Sequence, residues 1–115
     1  DKIISRTKVS DIYLKERVFD AALEDVIAQK SIHSLRAYHG KLANLYPRQY
    51  VAAYKELIHP YAESRLGREH YRDVVAILKN MVGIKGFESE AEEIIERLRM
   101  ENKRKPAFID ELKGL

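Results

Sequence analysis

The chain has 115 residues, of which 45% are hydrophobic, and this is the length of one domain with enough apolar mass for a core. Its 21 Lys and Arg residues face 18 Asp and Glu residues, so the net charge of +3 is a small difference between interspersed populations, which excludes a histone-like polycation. The absence of cysteine excludes disulfides and thiolate metal sites and favours a reducing compartment, for which we predict the cytoplasm. Because no apolar run approaches the roughly 20 residues that span a bilayer, we expect no membrane association.

The first part of the chain predicts three helices with short connections. Val9, Ile12 and Tyr13 have the spacing of a short first helix. Near residues 18–29, apolar side chains recur one helical turn apart on a stripe that consists of Phe19, Ala22, Leu23, Val26 and Ile27. Ser31 is a candidate N-cap for the third helix. The stripe of that helix consists of Leu35, Tyr38, Leu42 and Leu45.

The fourth predicted helix carries the strongest pattern. Pro47 is suited to its first turn, and its stripe consists of Tyr50, Ala53, Tyr54, Leu57, Ile58, Tyr61 and Ala62. Pro60 lies inside this pattern, where it removes one backbone donor and clashes with the carbonyl of Glu56. Because the apolar stripe keeps its phase past Pro60, we expect a kink there and not a break. Gly67 is suited to the left-handed C′ position that closes the helix.

Three more helices complete the prediction. The fifth ends between Gly83 and Gly86, and its stripe consists of Tyr71, Val74, Val75, Leu78 and Val82. Ser89 and Glu92 have the spacing of a capping box, which would open a sixth helix. The stripe of that helix consists of Ala91, Ile94, Ile95 and Leu98. Pro106 is suited to the first turn of a last short helix, whose apolar residues are Phe108, Ile109 and Leu112.

Helices joined by such short connections favour antiparallel hairpins within a single all-α domain that spans residues 1–115. A shift of 33 residues lays Tyr38 on Tyr71 and Leu45 on Leu78, and this period is typical of a tetratricopeptide-like α-solenoid. The consensus tryptophan of such repeats is missing, so an irregular bundle stays open as the alternative. Because the chain starts without methionine and enters a helical pattern at once, we expect a C-terminal fragment of a longer protein.

The familiar motifs of enzymes and metal sites do not occur in the sequence. There is no His-Glu-x-x-His, no Gly-x-Ser-x-Gly and no Gly-rich phosphate loop. His59 with Glu63 and His70 with Asp73 have usable spacings, but two ligands do not retain zinc against water. The acids of residues 88–96 fit the first turns of a helix, where negative charge favours the macrodipole. We therefore predict no enzyme activity, no cofactor and no small-molecule substrate.

Basic residues crowd into the end of the sixth predicted helix and make it a candidate binding segment. They are Arg97, Arg99, Lys103, Arg104 and Lys105. A phosphate-contacting patch would use these cations directly. The alternative is a solvated helix end, because cations at a helix C-terminus also favour the macrodipole. Both interpretations stay open.

A second candidate binding group follows Gly67. Arg68, His70 and Arg72 lie at a helix start, where positive charge opposes the macrodipole, so another interaction should favour them. A contact with an anion or an acidic partner would explain the group. The alternative is that Arg68 and Arg72 pair with acids of the preceding helix, such as Glu63.

Several stretches resemble the C-terminal helical region of bacterial SWIM-type zinc-finger proteins, over about residues 18–115. The most specific are Gly-Arg-Glu-His-Tyr-Arg at residues 67–72 and Lys-Arg-Lys-Pro-Ala-Phe at residues 103–108. The resemblance implies a tetratricopeptide-like tail behind a Cys-x-Cys…Cys-x-His finger that holds zinc and binds DNA or protein. This chain has no cysteine for such a finger, so zinc and DNA binding would belong to a missing upstream part.

The leading functional hypothesis is a non-enzymatic interaction module that presents a groove to a protein partner. The alternative is a nucleic-acid-binding helical domain that uses the basic segment 97–105. The first predicts that deletion of residues 18–115 from the intact protein loses a partner, and the second predicts that neutralising Arg104 and Lys105 weakens nucleic-acid binding and reduces its salt dependence.

Overall fold

The computed structural model describes residues 9–115, which form seven α-helices and, within that range, no β-strand. The helices are α1 (Val9–Lys15), α2 (Phe19–Ala28), α3 (Ile32–Leu42), α4 (Pro47–Glu63), α5 (Arg68–Val82), α6 (Glu88–Glu101) and α7 (Pro106–Leu112). The all-α prediction is therefore confirmed. Residues 1–8 of the predicted domain lie outside this range.

The predicted apolar stripes form the hydrophobic core, with the exception of four residues. Val9 and Ile12 of α1, Leu45 and Val82 are between 41% and 54% exposed. Leu45 lies in the turn after α3, and Val82 is the last residue of α5, so both side chains extend past the helices that would cover them. The predicted 33-residue period is correspondingly uneven, because Leu45 is 54% exposed whereas its counterpart Leu78 is fully buried.

Two predicted helix starts are confirmed by their local geometry. The Ser34 backbone N–H donates to the Ser31 hydroxyl oxygen at 3.4 Å, so Ser31 is the N-cap of α3. Pro47 and Pro106 occupy the first turns of α4 and α7, where a missing N–H leaves no helical bond unmade.

Helix α4 continues through Pro60 without a break, as predicted. The proline removes the backbone bond to the carbonyl of Glu56. Both residues are exposed, so water can satisfy that carbonyl. The apolar stripe that continues into the buried Ala62 supplies the packing that holds the last turn of α4 in place.

Two predicted end signals are wrong in position. Helix α4 ends at Glu63, and the hydroxyl of its C-cap Ser64 donates to the Tyr61 carbonyl at 2.6 Å. Gly67 instead precedes α5 as its N-cap, with a φ of 109°. Helix α6 begins at Glu88, so Ser89 lies inside its first turn and forms no capping box. The Glu88 carboxylate instead accepts a hydrogen bond from the Gly86 N–H at 3.1 Å. Gly86 lies in the turn before α6 and has a φ of 91°.

The helices form a slab in which α5 occupies the centre. Each helix packs on the next along the chain, and α5 also contacts α3 and α7, while α4 contacts α6. The overall extents are 46 × 34 × 18 Å. Because a helix with its side chains is about 10 Å across, the smallest extent corresponds to two layers of helices.

Tyrosine hydroxyl groups connect neighbouring helices within the slab. Tyr38 donates to Asp11 of α1 at 2.6 Å, and burial together with this hydrogen bond raises the pKa of Tyr38 to about 12. Tyr50 donates to the carbonyl of Leu35 at 2.9 Å. Tyr54 lies 2.8 Å from the Nδ1 atom of His39. The tyrosines of the predicted stripes are thus packing residues, and four of them (Tyr38, Tyr50, Tyr54 and Tyr71) are buried.

Candidate functional site

A surface groove with a volume of about 670 Å³ runs along α6. It lies between the C-terminal end of α5, the outer face of α6 and the residues after α7. Its lining consists of Val82, Ser89, Glu92, Glu93, Ile95, Glu96, Arg99 and Leu115. The groove exceeds the cavity beside His70, of about 370 Å³, and the cavity at the α6–α7 turn, of about 210 Å³.

The groove combines an apolar floor with an acidic rim. Val82 of α5 contributes a side chain that is 43% exposed, and the buried Ile95 of α6 also lines the groove. Glu92, Glu93 and Glu96 line the rim and are exposed. Arg99 is the cation among the lining residues, and it forms an ion pair with Glu96 within the same helix. The rim is therefore net negative.

The same outer face of α6 becomes apolar and then basic towards its C-terminus. Met100 follows Glu93 and Glu96 at the i+7 and i+4 positions, so the three side chains share one face of the helix. Met100 is 57% exposed. It lines the cavity at the α6–α7 turn together with Glu101, Asn102, Lys103, Arg104 and Lys105.

Only part of the predicted basic segment is available to a partner. Arg97 pairs with Glu101 at 3.3 Å, and Arg99 pairs with Glu96, so both are neutralised within α6. Among the ion pairs of residues 9–115, none includes Lys103, Arg104 or Lys105. The structure thus reduces the segment to the cations of the α6–α7 turn.

The cations at the start of α5 connect that helix to α7. Arg68 Nη1 lies 2.8 Å from carboxylate oxygens of both Asp110 and Glu111, and Arg72 Nε lies 3.4 Å from Glu111. The hydrogen bond from Arg68 lowers the pKa of Asp110. The pairing interpretation therefore holds, but the predicted partner Glu63 is wrong. The true partners are distant in the sequence, so helical spacing does not reveal them. They become neighbours because α7 folds back along α5, where Phe108 stacks on Tyr71 with ring centroids 4.6 Å apart.

His70 is buried and donates a hydrogen bond to a backbone carbonyl near the end of α4. Its Nε2 atom lies 2.9 Å from the Tyr61 carbonyl oxygen, which can only accept, so Nε2 carries the proton and donates. The same carbonyl also accepts the backbone N–H and the hydroxyl of Ser64, so His70 adds a third donor and connects α5 to the end of α4. This candidate binding residue has a structural role at the α4–α5 junction.

Asp73 lies beside His70 and also has partners within the chain. It accepts a hydrogen bond from Arg36 at 2.6 Å and another from the Tyr61 hydroxyl. Burial on its own would raise the pKa of Asp73, but these hydrogen bonds and the charge of Arg36 lower it overall. The cavity beside His70 and Asp73 is therefore lined by groups that already hold α3, α4 and α5 together.

Two further findings concern the chemistry of residues 9–115. No three His, Cys, Asp or Glu side chains of these residues lie close enough together to hold a metal ion. Likewise, none of the helices formed by these residues is long and apolar enough to cross a membrane.

His39 packs against Tyr50 and Tyr54, and burial lowers its pKa.

The α6 groove was not predicted from the sequence. Val82 has the spacing of a core residue of the fifth helix, and the glutamates fit a solvated helix start. A signal exists, because Glu92, Glu96 and Met100 recur at helical spacing opposite the buried stripe of α6. What the pattern lacks is the position of α7, which leaves this face of α6 uncovered.

Comparison with known proteins adds no further constraint. No protein-family model, curated protein or solved structure matches the chain. The relation to SWIM-type zinc-finger proteins therefore stays a prediction.

Proposed function

We propose that the chain is a non-enzymatic helical interaction module that binds a protein partner along the α6 groove. The observation that carries this proposal is the side chain of Val82 at the end of α5, which is exposed in the groove beside the carboxylates of α6, with the exposed Met100 further along α6. Exposed apolar surface rimmed by polar groups is characteristic of protein-binding sites. A partner segment would place an apolar side chain on the floor and Lys or Arg side chains against the rim.

Charge and shape have different roles in this binding. The apolar floor supplies contact area, as in grooves that accept one face of an amphipathic helix. The glutamates of the rim select against acidic segments and attract basic ones, which contributes mainly to specificity and association rate. The partner is therefore expected to be a basic amphipathic segment.

The arrangement of the helices supports a repeat-like module. Contacts between neighbouring helices and between next-but-one helices, in two layers, are what stacked helical hairpins produce. In this proposal the chain is a tetratricopeptide-like tail behind a SWIM-type zinc finger in a bacterial cytoplasmic protein. The cysteines of that finger would precede the residues of this chain.

The proposal is tested by affinity capture with the intact natural protein. Val82→Gln removes apolar surface from the groove floor, and Leu45→Gln is the matched control, because Leu45 is similarly exposed but lies in the α3–α4 turn. Capture of the same partners after Val82→Gln and after deletion of residues 18–115 would overturn the proposal. Loss of a partner with Val82→Gln but not with Leu45→Gln is the expected result.

Nucleic-acid binding is the second candidate, and one observation favours it. Lys103 and Arg104 are exposed, and no ion pair among residues 9–115 includes either of them. Replacement of Arg104 and Lys105 by Gln should weaken binding and reduce its salt dependence if these cations contact phosphates. Absence of retention on nucleic acid at low salt would exclude this function.

A further inference from the structure

Charge is segregated along the exposed face of α6. Its N-terminal half presents Glu92 and Glu96, and the end of the helix presents Arg99, Met100 and Lys103. The acidic half borders the groove, whereas the basic half borders the α6–α7 turn. One helix face thus contains both an acidic groove and the kind of basic, apolar segment that would fit it.

The outermost charges of this face cannot satisfy each other within one molecule. Glu92 lies in α6 and Lys103 lies just past its end, and at 1.5 Å per residue they are separated by about 16 Å, which exceeds the reach of an ion pair. Between them, Glu96 and Arg99 meet within the helix, which shows that these side chains lie on the same face. No ion pair of residues 9–115 includes Glu92 or Lys103, so a second chain can supply the complement of both.

We propose that the α6 face binds a second copy of the chain, with the two α6 helices antiparallel about a twofold axis. This inference rests on the proposed function, since it names the partner of the same groove. An axis between residues 97 and 98 pairs Glu92 with Lys103 of the second copy. The same axis brings the Glu96–Arg99 ion pairs of the two copies next to each other, so that each Glu96 also faces Arg99 of the second copy.

The charge pattern selects both the orientation and the symmetry of this pairing. Parallel helices would place glutamates against glutamates and cations against cations, which repels. In the antiparallel arrangement a twofold axis makes each contact twice, as in an isologous dimer. Both copies then cover Met100 and Val82, which are 57% and 43% exposed in the single chain.

Sedimentation velocity over a range of protein concentrations tests the pairing. Glu92→Lys with Glu96→Lys should weaken self-association at least about tenfold, and so should Arg99→Glu with Lys103→Glu, because each variant opposes like charges across the axis. A one-to-one mixture of the two reversed variants should associate again, since every pair regains opposite charges. Added salt should weaken the association of the unmodified chain.

A matched control reverses charges elsewhere. Glu24→Lys with Glu63→Lys reverses two exposed acids on α2 and α4 and changes the net charge by the same amount as Glu92→Lys with Glu96→Lys, and it should leave self-association unchanged. Circular dichroism reports whether each variant is folded. If the reversed variants lose helicity, Glu92→Gln with Glu96→Gln replaces them, with a smaller weakening expected.

Three results would overturn the inference. They are a monomer at every concentration, self-association that neither charge reversal weakens, and reversed variants that do not associate when mixed. A monomer leaves the proposed function to be decided by the Val82→Gln capture experiment, so the two failures are distinguishable. A monomer that binds a basic peptide would assign the groove to a different partner.

Discussion

The interior where α3, α4 and α5 meet differs from the outer face of α6 in where its polar and apolar groups find partners. In the interior, Tyr50 and Tyr54 are fully buried, and both hydroxyl groups form hydrogen bonds within the chain. Throughout residues 9–115, no buried side-chain nitrogen or oxygen lacks a hydrogen-bond partner. On the α6 face, Val82 and Met100 are exposed beside charges that the chain itself does not fully neutralise.

This difference separates structural from functional use of the same residue types. Arg36 and Asp73 form an ion pair that holds α3 to α5, so each of these two charges has its partner within the chain. Lys103 and Glu92 are just as charged, but they lie at opposite ends of one helix face and have no mutual contact. Substitutions in the interior should therefore change stability, whereas substitutions on the α6 face should change association.

The largest effect is expected for Tyr54→Ala. Removal of a fully buried aromatic side chain leaves a cavity and should lower the free energy of unfolding by about 3–5 kcal/mol, as measured by urea denaturation. Tyr54→Phe isolates the hydroxyl, which lies 2.8 Å from His39 Nδ1, and should cost about 1–2 kcal/mol. A loss from Tyr54→Ala no larger than that from Tyr54→Phe would contradict this account of the interior.

A smaller effect is expected for Asp73→Asn. The Asp73 carboxylate is about one-third exposed, so loss of its ion pair should cost about 1 kcal/mol at neutral pH after solvent screening. The hydrogen bonds from Tyr61 and Arg36 outweigh burial and lower the pKa of Asp73 below its ordinary value of 3.8. The contribution is therefore present above pH 3.8 and is lost as the pH falls through the lower pKa of the folded state.

Urea titrations of both proteins across the acid range measure this contribution. The difference between the unmodified chain and Asp73→Asn should disappear at the acid end. A double-mutant cycle with Tyr61→Phe assigns the coupling to the hydrogen bond between the two residues. A difference that stays constant with pH would show that the asparagine acts through packing and not through charge.

His39 is a base and Asp73 is an acid, but each should make the stability of the folded chain fall as the pH falls. Burial against Tyr50 and Tyr54 lowers the pKa of His39 below its ordinary value of 6.5. Below pH 6.5 the unfolded chain therefore takes up a proton more readily than the folded chain, and stability falls as the pH falls towards the lower pKa of the folded state. His39→Gln keeps a polar group near Tyr54 but does not titrate.

Chemical denaturation between neutral and mildly acidic pH measures this term. The unmodified chain should lose more stability than His39→Gln over that interval, so the gap between the two proteins should narrow as the pH falls. Parallel pH curves for the two proteins would show that His39 does not couple protonation to unfolding.

Local patterns predicted the helices well because burial follows helical spacing. The stripe with Ala22, Leu23 and Val26 is buried, and Ser31 and Pro106 mark helix starts as expected. Helix ends were predicted less well. Ser89 forms no capping box, because α6 already begins at Glu88, directly after the turn at Gly86.

The candidate site could not be predicted, because it depends on contacts between distant parts of the chain. Arg68 and Arg72 face Glu111, which follows them by some 40 residues. Their release from a binding role is a consequence of where α7 packs, whereas Val82 is exposed because it is the last residue of α5. Sequence spacing identifies a helix face, but tertiary packing determines whether another helix covers it.

The smallest effect on stability is expected for Val82→Gln and Met100→Gln, and this distinguishes the α6 face from the interior. Both side chains are already exposed in the single chain, so the free energy of unfolding at low protein concentration should change by no more than about 0.5 kcal/mol. Association stabilises the folded state by mass action, so the melting temperature of the unmodified chain should rise with protein concentration. The two variants should lose that rise, and Leu45→Gln should retain it. Substitution of a core residue lowers the melting temperature at every protein concentration. A uniform decrease of this kind would show that Val82 or Met100 belongs to the interior.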